Sequence, residues 1–160
     1  MQEIKVVVTP VDFSDNARMI ADSAAYVAGK FGAELHLVFV AQNFEDYSGF
    51  FVPPVNLPNL TKDLLESAQQ KMEEFAESCR EKAAAAGVPA LRSRVLTGDV
   101  AEEILNYAKE VRGNLIVMGT HGYKGLERIM FGSVADQVVK TACCPVLTIN
   151  PYRQDCGGQD

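Results

Sequence analysis

Three things are scarce in this chain of 160 residues: metal ligands at useful spacing, positive charge and long apolar runs. Its four cysteines, Cys79, Cys143, Cys144 and Cys156, include no Cys-x-x-Cys pair, and only His36 and His121 could join them around a metal. That pattern argues against a zinc site and leaves buried, reduced thiols as the expectation. A disulfide between neighbouring Cys143 and Cys144, or a redox role for Cys156, is disfavoured in a reducing compartment. With 15 Lys and Arg against 21 Asp and Glu, the net charge is −6. This is the wrong sign for a protein that must neutralise a row of nucleic-acid phosphates. No stretch approaches the roughly eighteen uninterrupted apolar residues that cross a bilayer. The opening Met1-Gln2-Glu3-Ile4-Lys5-Val6 has neither the basic flank nor the apolar run of a signal peptide, so the cytoplasm is the expected compartment.

What is present is the composition of an ordinary globular domain, 48% hydrophobic and 22% charged, far from the polar corner that stays disordered. One domain is expected over residues 1–150, with a polar, glycine-bearing tail over 151–160. Ile4 to Thr9, Glu34 to Val40, Asn114 to Met118 and Pro145 to Ile149 are short apolar runs rich in β-branched residues, the mark of strands buried on both faces. Leu91 to Thr97 instead alternates, with Arg92 and Arg94 on one side, as an edge strand does. Between these runs lie helical stripes. Ala17, Ile20, Ala21, Ala24, Ala28 and Phe31 recur at threes and fours before Gly32, and Leu57 to Ala83 carries a longer stripe ended by Gly87 and Pro89. Asp99 with Glu102 forms a capping pattern ahead of Ile104, Leu105 and Ala108. Ser133 opens a last helix with Val134, Val138 and Ala142 inward. The segment from Gln42 to Leu57 fits no period, and its Phe44, Tyr47, Phe50 and Phe51 are unusually aromatic for a loop.

Strand and helix alternate throughout, which requires a doubly wound α/β fold: a five-stranded parallel sheet with helices on both faces, expected in the order 3-2-1-4-5. In such a sheet a ligand crevice lies beyond the carboxyl ends of the strands where the winding reverses. Two segments should meet there, Thr9-Pro10-Val11-Asp12 after the first strand and Met118-Gly119-Thr120-His121-Gly122 after the fourth. The second segment runs on to Gly132-Ser133 at a helix start. Glycines allow close backbone approach, and a helix tip adds partial positive charge, so this stretch is a plausible phosphate cradle. It is not a Walker loop, because Lys124 is followed by Gly125, and no G-x-G-x-x-G follows the first strand.

The spacing Gly119-x-x-Gly122, nine residues, Gly132-Ser133 resembles the nucleotide motif of the ATP-binding subgroup of the universal stress protein family. The opening Val8-Thr9-Pro10-Val11-Asp12-Phe13-Ser14 and the ending Cys144-Pro145-Val146-Leu147-Thr148-Ile149 extend the resemblance over nearly the whole chain. It implies a five-stranded parallel sheet of the adenine nucleotide alpha hydrolase-like type, in the order already inferred. It also implies that Pro10, Val11 and Asp12 lie against the adenosine, that Val40 and Met118 line the adenine slot, and that Gly119, His121, Gly122, Gly132, Ser133 and Val134 hold ribose and phosphates. Lys124 and Arg128 would stand near the terminal phosphates. The bland alternatives stay open: Asp12 as a cap of the first helix with Ser14, His121 as a satisfied loop histidine, Ser133 as an N-cap only, Lys124 and Arg128 as solvated cations, Val40 and Met118 as core.

The expected ligand is ATP, ADP or AMP, with magnesium or manganese arriving on the phosphates. No acid other than Glu127, Asp12 or Asp136 stands near enough to position an attacking water, so slow or absent hydrolysis is expected, and no catalytic residue is named. The resemblance implies a homodimer through the edge strand Pro145 to Ile149. Two other readings compete. A slow ATPase of the wider adenine-nucleotide hydrolase group would carry Ser-Gly-Gly where this chain has Thr9-Pro10-Val11-Asp12. A nucleotide-free dimeric interaction protein would lack the glycine motif.

Overall fold

The computed structural model describes residues 2–42, 57–120 and 131–152, with the side chains of 57–61 and 131 left aside. The elements run β1 (Val6–Pro10), α1 (Ala17–Phe31), β2 (Glu34–Ala41), α2 (Leu57–Ala86), β3 (Leu91–Thr97), α3 (Val100–Glu110), β4 (Leu115–Gly119), α4 (Phe131–Thr141) and β5 (Val146–Ile149). All neighbouring strands are parallel, in the order β3-β2-β1-β4-β5. Every residue of β4 is buried, and so is all of β1 after Val6, which is why these strands read as unbroken apolar runs. β3 exposes Arg92 and Arg94 while its alternate residues turn partly inward.

The sheet divides the core in two. On one side Val7, Leu35, Leu37 and Val117 pack under α1 and α2 with Ala24, Ala28, Met72 and Cys79. On the other, Val8, Val38, Val40, Ile116 and Met118 pack under α3 and α4 with Ile104, Tyr107 and Val138. Alternate side chains of one strand thus serve opposite layers.

Several boundaries differ from those expected, each for a local reason. Asn114 does not join β4. Its Oδ1 accepts the N–H groups of Lys5 and Val6 at 2.9 and 3.2 Å, and its own N–H donates to the Val6 carbonyl, so it latches the start of β1 to the start of β4. Phe31 is 53% exposed and is no part of the buried stripe. α1 ends in a Schellman motif, with Gly32 left-handed and Ala33 N–H bonded to the Ala28 carbonyl at 2.9 Å; Ala33 supplies the apolar contact that usually accompanies this cap. α2 ends the same way at Gly87 and Val88. α4 starts at Phe131, two residues before Ser133. Asp99 caps α3 as read, accepting from Glu102 N–H at 3.0 Å. Cys79 is buried, whereas Cys143 is exposed, because it lies in the connection between α4 and β5 at the sheet's edge; Cys156 lies outside the described residues, as does the aromatic stretch 43–56. Pro151 and Tyr152 form a turn, Tyr152 N–H donating to Asn150 Oδ1 at 3.0 Å. Among the described residues no helix is long and apolar enough to cross a membrane.

Candidate functional site

β1 and β4 are adjacent, but their recorded pairing covers only Val7 with Leu115 and Val8 with Ile116. Beyond that point each strand holds to its outer neighbour. Val11 N–H donates to the Val38 carbonyl of β2 at 2.8 Å, and Thr120 N–H donates to the Ile149 carbonyl of β5 at 2.9 Å. The pairing of β1 with β4 thus stops short of their carboxyl ends, at the point where the winding reverses, which is where an open sheet of this kind places a ligand crevice.

The residues named from sequence gather at this pole. Pro10 closes β1, in register with Val38, and Val11 and Asp12 follow it. Val40 is near the end of β2, and Met118 and Gly119 end β4. Both Val40, 8% exposed, and Met118, 0% exposed, belong to the α3 and α4 core layer. Gly132, Ser133 and Val134 occupy the first turn of α4, whose N–H groups have no intrahelical acceptor. Because that helix follows β4, its start faces the carboxyl pole of the sheet. Gly132 is not left-handed, and a Cβ built on it meets no described atom within 4 Å. His121, Gly122, Lys124 and Arg128 lie outside the described residues.

Asp12 does not cap α1. Its Oδ1 accepts Ser14 N–H at 3.0 Å, closing a turn ahead of the helix, while the N-cap position is Asn16, which makes no side-chain cap bond. The carboxylate is thereby held in the loop just beyond the end of β1, half-buried. Three features escaped the sequence reading. Phe13 is left-handed at φ 58°, a rare state for a bulky residue, and the Asp-Phe-Ser sequence was its only signal. Thr9 is fully buried in β1 with its hydroxyl unpartnered among the described residues. Asn16 Nδ2 donates to Tyr152 Oη at 3.1 Å, so the turn after β5 reaches across to the loop before α1.

A second polar cluster lies at the opposite pole, near the start of β2. Buried His36 meets Tyr107 Oη at 2.9 Å through Nδ1 and Glu34 Oε2 at 3.4 Å through Nε2, and Arg92 Nε holds Glu34 at 3.1 Å. Burial pushes His36 below the ordinary imidazole value, outweighing the opposing pull of Glu34. Arg92 first, and then His36, hold the Glu34 carboxyl below its usual range. Tyr107 is raised by burial. The imidazole is thus neutral near pH 7 and ties β2 to α3, away from the crevice.

A family model described as Universal stress protein family matches residues 3–150. A universal stress protein of Methanocaldococcus jannaschii is 34% identical over 156 residues, covering 94% of this chain and 85% of the relative. Among solved structures, a universal stress protein in complex with cAMP superposes with a TM-score of 0.68 at 22% identity, over 94% of this chain and 100% of that one. One from Archaeoglobus fulgidus in complex with dAMP gives 0.60 at 23% identity, over 94% and 100%. At that identity the likeness is one of fold.

Proposed function

The chain belongs to the universal stress protein family, and from that premise we propose that its crevice binds an adenine nucleotide, ATP or else ADP or AMP. The observation that carries this reading is the end of the pairing of β1 with β4 after Val8 and Ile116. In this reading the slot lies at the reversal point, with Val40 and Met118 behind it and the acceptor Asp12 at its mouth. Such a slot suits a flat heterocycle joined to a hydroxylated sugar. The open first turn of α4 at Gly132 suits the phosphates, which a helix tip attracts. Two structural relatives carry cyclic AMP and deoxy-AMP, which supports adenine as the base. Pro10 and Val11 complete the adenosine side of the proposal, Gly119, His121, Gly122, Ser133 and Val134 its ribose and phosphate side, and Lys124 and Arg128 stand near the terminal phosphates. Any magnesium or manganese rides on the phosphates, since that first turn offers amides and not carboxylates.

The protein acts as a nucleotide-dependent switch with slow or absent hydrolysis. Of the three acids named from sequence, Asp136 is exposed and paired with Lys140 at 2.7 Å and Asp12 holds Ser14 N–H through one oxygen, while Glu127 lies outside the described residues. A homodimer through β5 fits the same reading. Leu147 is 40% exposed on that edge strand and Val139 of α4 is 52% exposed, and edge strands invite pairing. The cytoplasm is the compartment proposed. Acid precipitation of freshly purified protein, with chromatography of the released nucleotide, tests the central claim. Recovery of near-stoichiometric adenine nucleotide is expected; protein that carries none and fails to bind ATP or AMP in equilibrium dialysis overturns it.

A further inference from the structure

The loop that leaves β1 is pinned on both sides of Asp12. Before it, Val11 N–H is bonded to Val38 at 2.8 Å; after it, Ser14 N–H is bonded to Asp12 Oδ1 at 3.0 Å. Between these anchors stands Phe13 at φ 58°, a conformation that glycine or asparagine adopts freely and a bulky residue avoids. The ring explains why the loop keeps a phenylalanine there. Its centroid lies 4.5 Å from that of Phe39 on β2, tilted by 38°, and 6.4 Å from that of Phe75 on α2, edge-on at 80°. Aromatic pairs in these arrangements gain more than their buried area alone. Two separate elements therefore grip one side chain, and the grip holds the backbone in a state it would otherwise leave. Backbone strain of this kind persists only where the surroundings over-determine it, and it clusters at binding sites.

We propose that Phe13 is a positioning residue for the crevice: clamped between Phe39 and Phe75, it fixes the left-handed turn that aims the Asp12 carboxylate at a ligand hydroxyl or amine. Among the described residues Asp12 hydrogen-bonds only to Ser14, which leaves acceptor capacity for a donor on the ligand. Phe13 touches no ligand in this account; it acts through its neighbour. The inference rests on the adenine-nucleotide reading above and names what orients one of that site's contacts.

The test is a double-mutant cycle on the full chain, read by calorimetric titration with ATP and AMP, with thermal unfolding alongside. Phe13→Ala is expected to weaken binding about tenfold, and the same change in an Asp12→Ala background to weaken it by less than about twofold, because the residue it serves is already gone. A merely structural loss would be additive in both backgrounds. Should Phe13→Ala fold poorly, Phe13→Leu keeps an apolar side chain but loses both ring contacts and disfavours the left-handed state, and the same loss is expected of it. Unchanged affinity in the folded variant, or additive losses in the cycle, overturns this inference alone. A wild-type chain that binds neither nucleotide overturns the adenine reading and this inference with it.

Discussion

Replacing Gly132 by leucine separates the fold's needs from the ligand's. Gly132 is the second residue of α4, its backbone is not left-handed, and an added Cβ meets no described atom within 4 Å. The fold should accept the side chain. Glycine is disfavoured in a helix relative to leucine by about 0.5–1 kcal/mol, an upper bound here because the position lies in the first turn. At roughly 2–4 °C per kcal/mol for a domain of this size, the melting temperature of the nucleotide-free protein should hold or rise by up to about 4 °C. Affinity should move the other way. A leucine side chain fills the open approach to the amides of the first turn, and a lost hydrogen bond to a charged group costs about 1.5–3 kcal/mol, or about 10- to 150-fold in dissociation constant. Circular dichroism melts of the stripped protein and equilibrium binding of ATP read the two quantities separately. Affinity within twofold of wild type would refute the assignment of α4 to the phosphate cradle, and a melting point lowered by many degrees would refute the open space itself.

Gly29 is the contrasting case. A Cβ there would stand 1.9 Å from the Ala86 carbonyl oxygen, so α1 and α2 must move apart; Gly29→Ala should cost about 1–3 kcal/mol by overpacking, and an unshifted denaturant midpoint would contradict this. For His36 the sign follows from burial. The folded-state value lies below the unfolded 6.5, so the unfolded chain takes up the proton first, and stability that is complete above about pH 6.5 declines as pH falls below it. Glu34, also lowered in the fold, loses its contribution below 4.5, in the same direction. Urea midpoints between pH 7 and 4 should fall accordingly, and Tyr107→Phe, which removes the hydroxyl bonded to buried His36 Nδ1, should cost about 1–3 kcal/mol at pH 7; a flat profile would sink the buried-imidazole account. On the proposed homodimer through β5, Leu147→Lys should halve the mass seen by light scattering; a dimer retained by the variant would contradict that interface.

Much of this architecture was legible in the chain. Val6 to Thr9 and Leu115 to Met118 lack alternation because both faces are covered, and that same fact forces helices onto both sides; the order 3-2-1-4-5 was an expectation that the sheet bears out. The glycine stops at Gly32 and Gly87 were legible because the left-handed turn they permit has no good substitute. Legibility ended where a side chain is claimed by a partner far away in sequence. Asn114 looks like the first residue of a strand until its carboxamide is seen bridging Lys5 and Val6. His36 and Tyr107 are 71 residues apart and carry no shared signal. Phe31 keeps the helical period yet lies outside, because the cap hands its role to Ala33. At the crevice the strand ends were readable from their position alone. The left-handed Phe13 was not, since it depends on rings contributed by β2 and α2.

The hydrogen bond between Asn16 and Tyr152 has an optical consequence. The chain contains no tryptophan, so Tyr152→Trp would install a single indole emitter where the last turn meets the exit of the central strand. Excited at the red edge of its band, where the remaining tyrosines absorb little, its emission would report on the junction of the two loops in real time, without a label attached anywhere else.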